Sequence, residues 1–364
     1  MKVALVHYWL TSMRGGEQFL QCILEMFPEA DIFTHVYNPK KISPKINSHK
    51  ITCSRINRLP FARRLYKIYM PLMPSALLAF DLQKYDLVIS SEAGPAKGVV
   101  CNPDAYHLCY CHSPMRYLWD MYHEYLKSTN AIVRIFMKAL IPKLRIWDVT
   151  SANLVDQFIT NSNYVAKRIK RYYRRDAKVV FGPADIETYL SLERSPKDFY
   201  LFLGKLAENK GIDIALQAFS QSGKKLIVAG EGSKKLFAKY KKCANIKRLG
   251  HVSENEKQNL FREAAALIFP GIEDMGLIPI EANAAACPVI AYKKGGVMDT
   301  LLENKTCIFF EEQTPAALNT AIEYFESCKE KFDDRTVFTN HVQQFSKAAF
   351  KDRIIKIIKE HKNE

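Results

Sequence analysis

The chain has 364 residues, 48% of them hydrophobic and 25% charged, with a formal net charge of +15. That length exceeds what one hydrophobic core usually organises, so about two domains are expected, and the composition excludes a disordered chain. Nine cysteines without paired spacing exclude a disulfide-stapled secreted domain and point to reduced thiols and a cytoplasmic setting, and no run of about 18 apolar residues is present to span a bilayer.

The opening segment, MKVALVHYWL, reads as a first β-strand over 2–7 and not as a signal peptide, because polar Thr11, Ser12 and Arg14 follow its short apolar run. Arg14-Gly15-Gly16 then turns into a helix expected over 17–26, and glycine at such a place lets backbone approach an oxyanion at the helix N-terminus. From Ile32 to Phe80 there is no Asp or Glu, while Lys40, Lys41, Lys45, Lys50, Arg55, Arg58, Arg63, Arg64 and Lys67 accumulate. A negatively charged partner is implied for this half. Within it, Pro60 suits a helix start, and a helix would place Phe61, Leu65, Ile68, Tyr69 and Leu72 on one face with Arg63, Arg64 and Lys67 on the other. That pattern predicts an interfacial helix on an anionic membrane. The same residues also suit a helix packed on its own domain with a solvated basic face. Nucleic acid is disfavoured, because no recognised module surrounds the run and its aromatics lie on the apolar side.

Core strands are expected at 86–90 and 106–111, the second ending at His112-Ser113-Pro114. Cys109, Cys111 and His112 match no zinc spacing, so no metal site is assigned. His112 lies just past the carboxyl end of a strand, where sites of α/β proteins concentrate, and this is the better reading beside that of a cap on the following helix. Helices are expected over 115–125 and 132–147, a strand over 155–160, and then, after Asn161-Ser162-Asn163, a helix rich in Lys and Arg. Phe181-Gly182-Pro183 ends this series. A second series starts with a strand over 199–203, followed by Gly204-Lys205-Leu206 and Lys210-Gly211. Two cations at a strand end can neutralise the charge that builds on a diphosphate leaving group. Strands at 226–229 and 246–250 follow, the latter leading to His251-Val252-Ser253. An apolar run over 264–269 then ends at Pro270-Gly271, Glu273 and Asp274 sit in a loop, and Gly276 opens a helix that contains Glu281. The N–H groups near Met275, Gly276 and Leu277 would offer a phosphate site flanked by the two glutamates. A strand over 288–292 and Gly295-Gly296 come next, and helices over 315–329 and 342–359 close the chain, the last with an apolar stripe of Phe350, Ile354, Ile355 and Ile358.

Three stretches, YCHSPMRYLWD, GKLAENKGID and FPGIEDMGLIPIEANAAACPVIAYKKGG, resemble the retaining glycosyltransferases of family 4, which have the GT-B fold. Glu273 and Glu281 keep that family's spacing of two glutamates, and Lys205 and Lys210 its two cations. Met275 stands where the family usually has an aromatic, Ala286 where it has glycine, and Lys205 where it has arginine. The resemblance implies an α/β protein with two Rossmann-like domains facing across a cleft. Residues 1–183 would bind the acceptor and 184–340 a nucleotide-sugar, with 341–364 a helix returning to the first domain. By resemblance, His112 lies beside the transferred sugar, Glu273 binds its hydroxyls and Glu281 binds the ribose. Gly15, Gly16, Gly204, Lys205, Lys210, Met275, Gly276 and Leu277 would face the diphosphate, and Val252 the nucleobase.

The pattern looks most like bacterial mannosyltransferases that build O-antigen or capsule on a lipid-linked carrier from GDP-mannose, without a metal, since no D-x-D occurs. The implied partners are a nucleotide-sugar, a lipid-linked saccharide and an anionic membrane surface. The implied location is the inner face of the cytoplasmic membrane. A UDP-sugar donor, a nucleotide-sugar epimerase and a non-catalytic nucleotide-binding protein are the alternatives left open by sequence.

Overall fold

Short runs of β-branched and aromatic residues, separated by helical stretches, build two wholly parallel sheets. In a computed structural model these belong to two units, Met1–Gly182 with Lys351–Glu364, and Pro183–Phe350. All residues are described except Ser128, Ser233, Lys241, Asn363 and Glu364.

The first unit contains β1 (Val3–His7), β2 (Asp31–Thr34), β3 (Ile51–Cys53), β4 (Leu87–Glu92), β5 (Tyr106–Cys111), β6 (Gln157–Thr160) and β7 (Ala177–Val179). Their order is β3-β2-β1-β4-β5-β6-β7, all neighbours parallel. The second unit contains β8 (Tyr200–Leu203), β9 (Leu226–Ala229), β10 (Ile246–Gly250), β11 (Leu267–Phe269), β12 (Val289–Tyr292) and β13 (Cys307–Phe310), in the order β10-β9-β8-β11-β12-β13. These are two Rossmann-like α/β domains. Central parallel strands are covered on both faces and should be apolar throughout. In the second unit that holds: Leu201, Phe202, Val228, Leu267, Ile268, Val289 and Ile290 are all buried. In the first unit His7, Ser90, Ser91, Glu92 and His107 also occupy buried strand positions. Buried polar groups at that density need partners, and each of these side chains has at least one.

Several predicted elements shift. The first helix begins at Gly15, two residues early, so both glycines lie inside its first turn. Residues 116–121 are turns, and the helix there is confined to Tyr122–Lys127. The next helix runs longer than expected, Ala131–Ser151. The basic helix Asn163–Tyr173 is not solvated all round, because Arg168 is buried against Asp120 at 2.6 Å and Ser113 at 2.9 Å. In the closing helix, Lys347–Lys362, Phe350, Ile354, Ile357 and Ile358 are buried but Ile355 is exposed. Its part from Lys351 belongs to the first unit, where Lys351 pairs with Glu25 at 2.6 Å and His361 stacks on Tyr106.

The largest departure is the predicted amphipathic helix. Phe61 is left-handed (φ 53°), Ala62–Leu65 is a single helical turn, and Tyr66–Leu72 is a 3₁₀ segment that leads into a short helix, Met73–Leu77. Pro71 and Pro74 each lack an N–H donor, which removes the bonds a continuous α-helix would need. Ala62, Met73 and Ala76 turn inward, with Tyr66, Tyr69 and Met70 packed on them. Phe61, Leu65, Ile68 and Leu72 are exposed, as are Arg63, Arg64 and Lys67. Apolar and cationic side chains of this segment are therefore both exposed, and no single helix sets them on opposite faces. Among the described residues no helix is long and apolar enough to cross a membrane.

Candidate functional site

In a parallel sheet the chain leaves to one side of its first strand and returns on the other, which opens a crevice at the carboxyl ends of the two strands where the order reverses. Here those strands are β1 and β4 in the first unit, and β8 and β11 in the second. Gly15 and Gly16 follow β1, Gly204, Lys205 and Lys210 follow β8, and Met275, Gly276 and Leu277 follow β11, whereas His112 follows β5 and Val252 follows β10.

In the second unit the loops after β8, β9, β11 and β12 lock together through glycines that other residues would obstruct. A Cβ on Gly230 (φ +133°) would sit 1.8 Å from the Gly204 carbonyl oxygen, and one on Gly211 (φ +68°) would sit 2.9 Å from the Pro270 backbone. Gly271 approaches the Lys210 backbone to 2.8 Å by the same measure, and Gly296 the Asp274 carbonyl oxygen to 2.1 Å. Gly296 N–H also donates to the Glu273 carbonyl at 2.8 Å. This backbone stacking brings together residues 63 apart in sequence: Lys210 Nζ and Glu273 Oε1 form an ion pair at 2.6 Å, both about three-quarters buried. Lys205 is exposed and has no ion pair among the described residues. Gly276 (φ 81°) caps the helix Leu277–Ala284, whose first N–H groups have no intrahelical acceptor. Met275, in place of an aromatic, is buried, and its carbonyl accepts from Thr300 Oγ1 at 3.2 Å. Ala286 adopts φ +56°, the left-handed conformation that glycine takes without strain.

Glu281 lies on this helix, paired with Lys257 at 2.7 Å. Burial pushes its carboxyl above the usual carboxylate range; Lys257 opposes the shift, and Glu254 and Asp185 add to it. Lys257 also reaches Glu254 at 3.7 Å and lies over the Tyr189 ring. Val252 is half-buried beyond β10, beside the exposed His251.

In the first unit Gly15 and Gly16 form the first turn after Arg14, whose N–H donates to Glu17 Oε2 at 2.9 Å. A Cβ on Gly16 would lie 2.3 Å from Tyr8 Oη, so glycine here admits the Tyr8 ring. His112 follows β5. Its N–H donates to the Glu92 carbonyl at 2.9 Å, and the rings of Phe19 and Tyr110 flank it with centroids at 5.1 and 4.8 Å. Its Nε2 is 2.9 Å from Ser91 Oγ, which is 3.0 Å from His7 Nδ1; His7 Nε2 is in turn 3.7 Å from Glu17 Oε1. Burial, then the neighbouring His7, lowers the His112 pKa to about 3, so the ring is neutral at ordinary pH. Behind this chain Lys97 is fully buried between Glu92, at 3.4 Å, and Asp148, which also accepts from Trp119 Nε1 at 2.7 Å. Burial would discharge Lys97, but the two carboxylates override it and raise its pKa. Cys109 and Cys111 face a packed core, and among the described residues no group of three or more His, Cys, Asp and Glu could hold a metal ion.

Comparison with known proteins places this geometry. Residues 191–352 match the family model described as Glycosyl transferases group 1. The structure of HepE from Anabaena in complex with UDP superposes with a TM-score of 0.71 over 99% of this chain and 100% of that one, at 15% identity. The fold is GT-B. Among sequence relatives, the mannosyltransferase ALG2 of Dictyostelium discoideum is 25% identical over 323 residues, covering 74% of this chain and 70% of its own. An uncharacterized glycosyltransferase of Methanocaldococcus jannaschii is 25% identical over 172 residues, 46% of this chain. The match spans about half (48%) of that relative's length. Within the GT-B fold, the family model covers nearly all of the second unit, where the glycine-locked loops lie.

Sequence reasoning missed Lys257, Glu17, His7, Ser91 and the Lys97 cluster. A polar residue inside an otherwise apolar strand, as in LVISSE or VALVH, was the available signal. The glycine lock makes one prediction. Gly230→Ala should destabilise the second unit by at least about 3 kcal/mol, because it combines backbone strain with overlap on a fixed carbonyl. Gly223→Ala, at a positive φ with nothing within 4 Å, should cost only about 1 kcal/mol. Urea unfolding of the two variants decides it, and equal losses would contradict the lock.

Proposed function

We propose that the chain is a retaining glycosyltransferase of group 1 that transfers a hexose from a nucleotide-sugar, with mannose from GDP-mannose as the sugar, to a lipid-linked oligosaccharide in bacterial surface-polysaccharide synthesis. The observation that carries this reading is the Lys210–Glu273 pair held at the β8/β11 switch point beside Lys205 and the Gly276 helix start. Two cations and outward N–H groups suit a diphosphate. When that anion arrives, Lys210 exchanges the Glu273 carboxylate for phosphate oxygens, and Glu273 is released to accept hydroxyls of the sugar. Glu281 accepts the ribose hydroxyls, with Lys257 keeping part of its charge. Gly15, Gly16 and Gly204 allow close backbone approach to the diphosphate, and His112 contacts the sugar. No step in this scheme requires a metal.

Mannose is favoured by the ALG2 relative and by the YCHSPMRYLWD stretch. A UDP-sugar is the second reading, favoured by the HepE complex, a protein of the same fold that holds UDP. The exposed apolar and basic side chains of 61–72 support docking on an anionic membrane, where the lipid-linked acceptor would reside.

Two outcomes follow. In EDTA, GDP and GDP-mannose should raise the melting temperature with concentration, by an amount equivalent to about 2.7 kcal/mol at a hundredfold excess over Kd. A rise with UDP compounds alone would replace the donor, and no rise with any nucleotide would overturn the transferase reading. Replacing Arg63, Arg64 and Lys67 with Glu should weaken sedimentation with anionic vesicles by about a hundredfold, at about 1 kcal/mol for each cation lost; unchanged binding would remove the membrane from the account.

A further inference from the structure

We propose that Glu17, His7 and Ser91 form a relay that fixes the tautomer of His112, keeping its proton on Nε2 and presenting Nδ1 as a hydrogen-bond acceptor. Three histidines of the first unit show why His112 is different. His35 has both ring nitrogens engaged, with Ser54 Oγ at 3.2 Å and the Pro95 carbonyl at 2.9 Å. His107 has both engaged as well, with the Leu154 carbonyl at 2.8 Å and Ser90 Oγ at 2.9 Å. Those rings are structural. His112 is half-buried, and only its Nε2 is engaged among the described residues.

The proton order follows from the far end of the chain. His7 Nε2 is buried, makes no hydrogen bond and lies 3.7 Å from Glu17 Oε1. In a singly protonated His7 ring a lone pair there would face a carboxylate, whereas an N–H is attracted to it, so in that form His7 carries its proton on Nε2. His7 Nδ1 then has only a lone pair, and the Ser91 hydroxyl must donate to it. Ser91 has one proton, so its oxygen can only accept from His112. His112 therefore donates from Nε2, and its Nδ1 remains an acceptor. Strand register builds the chain: His7 pairs with Ser91 across β1 and β4, and Ser91 with Tyr110 across β4 and β5, two residues before His112. Phe19 and Tyr110 hold the ring against rotation.

An acceptor nitrogen that cannot become a donor selects a hydroxyl that donates. Its use rests on the reading above that His112 contacts the transferred sugar; the tautomer does not. Ser91 is thus a positioning residue, acting through His112.

The test is the ring ¹⁵N spectrum of histidine-labelled full-length protein near neutral pH, with His112 assigned by the His112→Gln variant. The expected result is a single His112 form with Nε2 protonated and Nδ1 bare. A proton on Nδ1, or an even mixture, in the wild-type protein would overturn the relay. Ser91→Ala and Glu17→Gln should each convert the single form into a mixture, and a spectrum unmoved in both would overturn it too. Ser91→Ala should also lower kcat about tenfold with the donor KM within about twofold, as loss of one oriented hydrogen bond requires. If the tautomer is as stated but His112→Ala transfers sugar at the wild-type rate, the relay stands and the sugar contact falls.

Discussion

Backbone lying directly on backbone is the constraint on which the C-terminal site depends. Four loops at the carboxyl end of one parallel sheet approach so closely that Gly230, Gly211, Gly271 and Gly296 have no room for a Cβ. Stacked in this way, the loops set Lys210 against Glu273 and lead into the Leu277–Ala284 helix. Preorganisation of this kind is what electrostatic stabilisation of a leaving group requires, since the charges are in place before the reaction begins. Within the site Lys210 and Glu273 pair with each other, while Lys205 has no ion pair among the described residues.

The first unit solves a different problem. It places a neutral imidazole at the end of β5 and buries a row of polar groups behind it. Glu92 takes the N–H groups of Ala96 and Lys97, both at 2.8 Å, and lends its own carbonyl to His112. The buried Lys97 with its two carboxylates gives little stability relative to an apolar core, because desolvation offsets the attraction. Through Glu92 it is tied both to the turn after β4 and to the backbone N–H of His112.

Much of this architecture was legible. The strands at 106–111, 226–229 and 246–250 coincide with their apolar runs, and the strand, loop and helix of 264–284 follow from Pro270, Gly271 and Gly276. Strands β2, β3, β7 and β13 were not read. The segment 61–72 was read with the helical period, yet two prolines and the packing of Tyr66, Tyr69 and Met70 broke that period. Side-chain partners were the least legible part. The Glu273 and Glu281 spacing can be read along one chain, but Lys210, Lys257 and Ser91 reach their partners only through the order of strands in a sheet. A polar residue buried in a strand signals that some partner exists without saying which.

The account turns on the claim that the Lys210–Glu273 pair is a diphosphate site awaiting its anion. The most direct measurement is release of nucleoside diphosphate from the accepted nucleotide-sugar by the wild-type protein and by Lys210→Ala. The account predicts a loss of at least about a hundredfold in kcat, comparable to removing one preorganised charge from a developing leaving group, in a variant that remains folded. Turnover by Lys210→Ala at the wild-type rate would contradict it and leave the pair as a structural ion pair.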